Sequence, residues 1–564
     1  MVILLLLNKS AELDWNGQPR ASRRCHIVRR HPVAAHPTRA ILIADTHPGP
    51  GTDLDFMAKR PPLHVPVLLT VLLGFPIATP AESDAHGRGS QPINVVVITV
   101  DDMNCDSVGI YGCPIPGITP HIDRLASQGV RFEHSHVTIA ICQPTRAVWM
   151  TGRFPHRSGA LGFDPIAKNV PTLLETLKKG GYFTGILAKV SHVIPTRAEN
   201  WDVIVRANQL GTGRDPNRYH AHTARFLKKA AASKKPFFLM ANSQDPHRPF
   251  AGSKQERNRL RKNRKKRSKN KPKRRLAIEK QPRTTTPPPL LLAPIPRRFR
   301  PDQIPVPGFL PDLPAIRQEL SEYYASVHRA DQIVGRVLAA LDEAGVRDNT
   351  LVMFLSDHGM PLPFAKTNCW RHSTRTPWIV RWPGVTKPGL HDRKHMIAGI
   401  DLAPTILEAV NLPQLAGIDG RSFVPLLSGQ PQSGRDHVIT HINRTAARRE
   451  FPMRSVVETR FGYIFNAWSD GKTLFRNESQ SGLTMKAMQK AAATDAQVAA
   501  RVKLFLKRTP EELYDYRADP DARHNLAHDP QHRKTLDRLR ARLLAHMRST
   551  DDPQLDAFGK AIGQ

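Results

Sequence analysis

Cysteine is scarce in this chain, with five among 564 residues. Cys25, Cys105, Cys113, Cys142 and Cys369 are too scattered for a disulfide framework or a paired-CxxC zinc site, so structural zinc is not expected. Long hydrophobic runs are also missing. Outside the amino-terminal region no stretch approaches the about 18 consecutive apolar residues that span a bilayer, so the mature chain is expected to be soluble and not membrane-spanning. Acidic residues are in deficit, 49 against 83 Lys and Arg, for a formal net charge of +34. A body this basic suits an anionic substrate or partner. Aromatics make up 6% of the chain, and the most basic stretch contains none. Without interleaved rings there is no stacking platform for bases, which argues against specific nucleic-acid recognition.

The amino end reads as two pieces. Residues 1–56 mix Arg, His and Pro without helical or strand periodicity and are expected to be a non-native or disordered extension. At Met57 the pattern changes. Ala58-Lys-Arg60 makes a positive region, Val65–Ile77 an apolar one, and Thr79-Pro-Ala81 a small-residue cleavage site. Residues 57–81 therefore read as a signal peptide, which predicts a secreted or periplasmic protein, lysosomal if eukaryotic. A catalytic domain over 92–430 and a carboxy-terminal subdomain over 431–564 follow. Within the former, Lys254–Arg275 holds fourteen Lys or Arg against one Glu, and a Pro-rich stretch continues to Pro314. Charge this dense self-repels, so residues 254–312 are expected to be a disordered insertion that is either simply solvated or an electrostatic tether for a polyanion, sulfated polysaccharide or nucleic acid.

The body opens with Asn94-Val-Val-Val-Ile-Thr-Val100, a β-branched run of the kind buried on both faces of a parallel sheet, and ends in Asp101-Asp102. Thr119-Pro120 then reads as the start of a helix that ends near Gly129. The pattern of an apolar run ending in ionisable residues recurs three times. Thr184–Leu187 leads into Lys189 and His192, Pro236–Ala241 into Asp245-Pro-His247-Arg248, and Thr350–Leu355 into Asp357-His358. Four such runs predict an α/β fold with one sheet edge crowded by carboxylates, lysines and histidines, a setting for an anion and a metal. Apolar positions from Ile316 to Leu341 recur at three and four, predicting one or two long helices. Asp401–Val410 reads as another helix. Short alternating runs at His437–His441, Arg454–Thr459 and Phe461–Phe465 predict a small antiparallel sheet, and Gln531–Met547 a final helix.

Cys142-Gln-Pro-Thr-Arg-Ala-Val-Trp-Met-Thr-Gly152 places a cysteine, a proline and an arginine at fixed offsets before an apolar run. With the early Asp-Asp, the Lys189/His192 motif, the mid-chain His247 and the late Asp-His-Gly, it resembles the sulfatase family, motif by motif and in family order. The likeness spans about residues 92–550. Among sulfatases it is most similar to the heparan N-sulfatase (sulfamidase) branch, on the strength of Asp245-Pro-His-Arg248, Gly359–Asn368 and Pro452-Met-Arg-Ser-Val456. The resemblance implies an alkaline-phosphatase-like fold, with a large, mostly parallel mixed sheet flanked by helices and a smaller carboxy-terminal α+β domain. It also implies a hydrolase of sulfate esters or sulfamates on glycosaminoglycan-type sugars such as heparan sulfate.

The same resemblance implies the roles. Cys142, oxidised to formylglycine (3-oxoalanine) by a maturation enzyme, supplies the nucleophile. Asp101, Asp102, Asp357 and His358, with residue 142, hold one divalent cation, expected to be Ca²⁺ because oxygen ligands dominate. Arg146 neutralises the hydrated aldehyde. Lys189, Lys366, His247 and Arg248 contact the substrate, with His247 as general acid on the leaving group, and His192 takes a proton as the sulfated intermediate collapses. This chain departs from the pattern in three places. An extra residue separates Lys189 from His192, His358 stands where sulfamidases have Asn, and Lys366 where they have Arg. The expected partners are the sulfated sugar or polysaccharide and the maturation enzyme, with a homodimer left open. Two alternatives stand beside this reading, a phosphomonoesterase or phosphonate hydrolase of the same superfamily and a non-catalytic basic polysaccharide-binding protein.

Overall fold

The computed structural model describes residues 92–193, 197–269 and 293–564. The expected extension and signal peptide, and residues 270–292 of the basic insertion, lie outside the described residues. Twelve strands among them form two sheets. In chain order these are β1 (Asn94–Asp101), β2 (Val130–His136), β3 (Phe183–Leu187), β4 (Val203–Val205), β5 (Phe237–Pro246), β6 (Thr350–Ser356), β7 (Trp378–Arg381), β8 (Leu390–Ala398), β9 (His437–Arg444), β10 (Glu450–Glu458), β11 (Phe461–Asn466) and β12 (Glu511–Asp515). The first sheet runs β4-β3-β5-β1-β6-β7-β2-β8 and the second β12-β11-β10-β9. β4, β3, β5, β1 and β6 are mutually parallel; β7 alone runs against both its neighbours. The smaller sheet is antiparallel throughout.

Every residue of β1 is buried, as its uninterrupted apolar run requires of a central parallel strand. Its side chains alternate between two cores. Val96, Ile98 and Val100 join Leu320, Tyr323, Val327 and Val334 on one face, and Val95 and Val97 join Trp149, Leu173 and Leu177 on the other. Those partners come from three helices out of the eight that precede β6. The eight are α1 (Pro120–Ser127), α2 (Cys142–Thr151), α3 (Pro155–Ser158), α4 (Leu173–Lys179), α5 (Val190–Val193), α6 (Pro216–Ser233), α7 (Lys254–Lys269) and α8 (Pro314–Glu343). The 30-residue α8 is a single helix, the longer of the two forms its periodicity allowed.

The insertion departs from its expectation. Lys254–Lys269 is helical as α7, and residues 293–312 are ordered, with Ile304 and Phe309 almost fully buried. One local feature and one distant partner oppose charge repulsion in α7. Ser253 Oγ accepts the Glu256 N–H at 3.0 Å, the side-chain half of a Ser-x-x-Glu cap, while the Glu256 carboxylate accepts from Gly252. Glu256 also pairs with the buried Arg329 of α8 at 3.1 Å, which ties the first turn of α7 to the core.

Candidate active site

Register assembles the site. On β1, Val100 lies opposite Ser356 of β6 and Asp101 opposite Pro246 of β5. The carboxyl ends of three parallel strands therefore meet at one place, with Asp101-Asp102, Asp357-His358 and the loop carrying His247 side by side. β3 ends alongside and delivers Lys189. Five of the twelve non-glycine residues with positive φ among the described residues lie here. Asp102, Ala188, Lys189, Phe364 and Thr367 all have φ between 51° and 71°, a conformation costly outside glycine and tolerated where surrounding structure dictates it. Gly359 is required for another reason. A Cβ there would lie 2.0 Å from the His372 carbonyl oxygen and 2.7 Å from Asn104 Oδ1, so only glycine lets His358 sit against this loop.

Asp101, Asp102, Asp357 and His358 are completely buried. Such a group of carboxylates is stable only with compensating positive charge or ligation. Arg146, one helical turn after Cys142 and so on the same face of α2, reaches Asp101 at 2.6 Å and Asp357 at 3.2 Å. Its other terminal nitrogen is held by Asn242 at 2.7 Å and Thr99 at 3.1 Å. Lys189 pairs with Asp101, and Lys366 sits 3.0 Å from both oxygens of Asp102 and 4.0 Å from Cys142 Sγ. Burial alone would raise Asp101, but Lys189 and Arg146 outweigh it and hold the carboxyl well below the usual range. At Asp357 burial and the Asp101 charge prevail and push the group up to about 6.

His358 Nδ1 faces the Gly359 carbonyl at 3.0 Å. A carbonyl only accepts, so Nδ1 carries the proton and Nε2 presents its lone pair to the site. Nε2 lies 3.2 Å from Cys142 Sγ and 3.2 Å from Asp102. The donor set fits a divalent cation: ligand atoms of Asp102, Cys142 and His358 lie within 4.8 Å of one another, as do those of Asp101, Cys142 and Asp357. Three carboxylates and one imidazole make a donor set able to hold a divalent cation. Cys142 begins α2 and is 5% exposed. Burial, with Lys366 opposing it and Asp357 and Asp102 reinforcing it, pushes the thiol well above its usual range, so the unmodified thiol is a poor nucleophile at neutral pH.

His247 lies at the edge of this cluster, half-buried, with Nδ1 donating to the Arg248 carbonyl and its own carbonyl held by Arg214 at 2.9 Å. Burial pushes its imidazole down to about 4, with Lys366 and Lys189 adding to the effect and Asp102 opposing it. Arg248 is tied to Glu319 at 2.9 Å and to the Pro361 carbonyl, so its charge is already engaged. His192, on α5, contacts Ser191 and packs edge-on against Phe163. Among the described residues it makes no hydrogen bond to the carboxylate cluster.

Asp102, His247 and Lys366 open onto a cleft of about 900 Å³. One wall is α7, through Lys254, Arg259 and Lys262; Lys486 and Glu478 come from the other side. Sequence reasoning missed both walls. The Ser253-Lys-Gln-Glu256 cap was the available signal for α7. Glu478, 3.5 Å from Lys366, lies in a stretch with no motif of its own.

A profile of the Sulfatase family matches residues 93–412, more than half of the chain. The chain belongs to the sulfatase family. A second profile, N-sulphoglucosamine sulphohydrolase, C-terminal, matches residues 357–474. This sulfatase is 28% identical over 496 residues to the N-sulphoglucosamine sulphohydrolase of Homo sapiens, covering 82% of this chain and 91% of that protein. It is 25% identical over 467 residues to an ulvan-active sulfatase of Formosa agariphila, covering 82% and 81%. Two solved structures share its fold. One is a complex with its substrate D-glucosamine-2-N,6-O-disulfate, with a TM-score of 0.58, 18% identity, and coverage of 83% of this chain and 99% of that one. The other is the phosphonate monoester hydrolase of Agrobacterium radiobacter, with a TM-score of 0.57, 16% identity, and coverage of 82% and 96%. The sulfatase is a hydrolase of sulfate esters or sulfamates. Among the described residues no helix is long and apolar enough to cross a membrane.

Proposed function

We propose that this sulfatase removes sulfamate or sulfate ester groups from glycosaminoglycan-type sugars, in the manner of a heparan N-sulfatase. The observation that carries the reading is the convergence of Asp101, Asp102, Asp357 and His358 on the Cys142 side chain, at the floor of a cleft with a basic wall. The human N-sulphoglucosamine sulphohydrolase and the carboxy-terminal profile support the N-sulfated sugar as substrate.

Residue 142, as formylglycine, would supply the nucleophile, and Asp101, Asp102, Asp357 and His358 would hold a divalent cation, expected to be Ca²⁺, which would withdraw charge from the sulfuryl group. The remaining work belongs to this chain's own groups. Arg146, fixed by Asp101, Asn242 and Thr99, places positive charge beside residue 142 from below. Lys189 and Lys366 present ammonium groups to the sulfate oxygens as point charges. His247, with Nδ1 committed to the Arg248 carbonyl, has Nε2 left to protonate the departing oxygen or amine. A bound sulfate would lift the His247 pKa toward the range an acid needs. His192 is assigned the proton of the diol, Arg248 buttresses the His247 loop through Glu319, and the 92–430 and 431–564 division follows the two sheets. Residues 57–81 direct secretion, and a formylglycine-generating enzyme of the host modifies Cys142.

The test has two parts. Mass spectrometry of the Cys142 peptide from active protein should show the thiol replaced by an aldehyde; a retained thiol overturns the nucleophile. Turnover of N-sulfated glucosamine and of an aryl sulfate should exceed that of an aryl phosphonate monoester. The reverse order favours the second reading, a phosphonate hydrolase, which the fold shared with that enzyme keeps in view.

A further inference from the structure

Outside the cluster formed by Asp101, Asp102, Asp357 and His358 around Cys142, three histidines gather that the reaction does not use. His156 lies on α3, His441 on β9, and His546 on the helix Arg533–Ser549. The His441 ring sits 5.5 Å from that of His156 and 5.6 Å from that of His546, between centroids. Asp552 follows the helix and completes the group. One ligand atom each from His156, His441 and Asp552 lies within 4.8 Å of the other two.

The protonation pattern is what makes this a site. His441 is 0% exposed, yet neither of its ring nitrogens has a hydrogen-bond partner among the described residues. A neutral imidazole carries one donor and one acceptor, and buried polar groups are normally satisfied. His156 Nε2 faces the Thr550 carbonyl at 2.9 Å, so Nε2 carries the proton. The lone pair is then on Nδ1, which is also unpartnered. A ring whose far N–H is pinned by a backbone carbonyl is the usual arrangement around a ligating histidine. Asp552 is oriented in the same way. Arg454 grips it bidentately at 2.5 and 2.9 Å, and the Gln554 N–H adds a bond to Oδ1, leaving a lone pair on Oδ2. The Nε2 of His546, adjacent to His441, is unpartnered as well.

We propose that His156, His441 and Asp552 form a second divalent-metal site of the zinc class, separate from the catalytic cation, that clasps α3 to the second sheet and the carboxy-terminal segment. Two imidazoles and one carboxylate select Zn²⁺, Co²⁺ or Ni²⁺ over Ca²⁺ and Mg²⁺. His546 or a water completes a tetrahedral shell. The scarcity of cysteine had pointed away from structural zinc altogether; the site proposed here runs against that expectation because its donors are imidazole and carboxylate, brought together from positions 156, 441 and 552.

The experiment uses the full chain, treated with chelator and then kept in excess Ca²⁺ so that the oxygen-rich catalytic donors are occupied. Zn²⁺ titration should bind one equivalent per chain and raise Tm, and Co²⁺ in its place should give the visible absorption of a tetrahedral nitrogen-ligated ion. His156→Gln, at a half-buried position outside the catalytic machinery, should lose that equivalent and the Tm rise while keeping zinc-free aryl sulfate turnover. The proposal is overturned if the parent binds no zinc equivalent, if the zinc-induced Tm rise survives unchanged in His156→Gln, or if the bound Co²⁺ shows only the weak spectrum of an octahedral all-oxygen site. The cobalt spectrum of the parent decides the matter even where a variant folds poorly.

Discussion

At Cys142 chemistry and packing can be separated. The side chain is small and buried at the first turn of α2, so Cys142→Ala should cost about 1 kcal/mol of stability, the usual scale for a single truncation, while abolishing turnover. Measurable aryl sulfate hydrolysis by a folded Cys142→Ala protein would remove the nucleophile from this account. Lys189 and His247 divide along a different line. Lys189 pairs with Asp101, and in the proposed role its charge acts on the sulfate whatever group departs. Lys189→Ala should therefore lose on the order of 10²–10³ in kcat on sugar and aryl substrates alike. His247 matters when the leaving group is poor. His247→Ala should lose about 10²–10⁴ on a sugar amine or alcohol and far less on a nitrophenyl sulfate. Equal losses on both substrates would reduce His247 to a sulfate contact.

α7 was expected to lie outside the fold, and its first turns wall the cleft. Lys254, Arg259 and Lys262 line it, so their replacement by alanine should weaken binding of a heparin-like polymer and flatten its dependence on salt concentration. Small aryl sulfate turnover should stay within about twofold, since none of the three pairs with Asp101, Asp102, Asp357 or His358. The anchor behaves differently. Arg329 holds Asp245 at 2.5 Å and Glu256 at 3.1 Å, and Asp245 stands two residues before His247. Glu256→Ala leaves Arg329 half-compensated in a buried setting and should cost about 1–3 kcal/mol. Urea unfolding measures the loss, and an unchanged midpoint would show that α7 is held by something else.

For the molecule as a whole, acid stability has an identifiable source away from the catalytic and histidine clusters. On β2, burial, Arg375 and Arg371 push His134 down to about 4, with Glu133 opposing, and burial with Arg371 lowers the fully buried His136 further. The unfolded chain binds these protons near pH 6.5 and the folded chain does not. Stability is therefore complete above pH 6.5 and falls as the pH drops toward 4, by roughly 3 kcal/mol for His134 alone at 1.36 kcal/mol per pKa unit. Tm measured between pH 7 and 4 should decline, and His134→Gln should decline less steeply. A pH profile identical in the two proteins would assign the acid loss to other groups.

The sequence alone determined the strands that carry the site and the order of its motifs. The β-branched run of β1, the four apolar runs ending in ionisable residues, and the Cys142–Arg146 spacing are consecutive signals, written in residues that fold next to one another. The long helix α8, the antiparallel second sheet and the helix Arg533–Ser549 were legible for the same reason, since period and propensity are local; the helix Leu555–Ala561, which follows it and is the last in the chain, was not. Tertiary structure decided what sits across from what. That α7 is a helix depends on Glu256 meeting Arg329, 73 positions away. That Lys366 meets Glu478, and that His156, His441 and Asp552 gather in one cluster, depend on packing between elements that no periodicity connects. Charge density read along the chain suggested disorder in the insertion because self-repulsion is a local property. The buried partners that offset it are supplied only when distant helices close on one another.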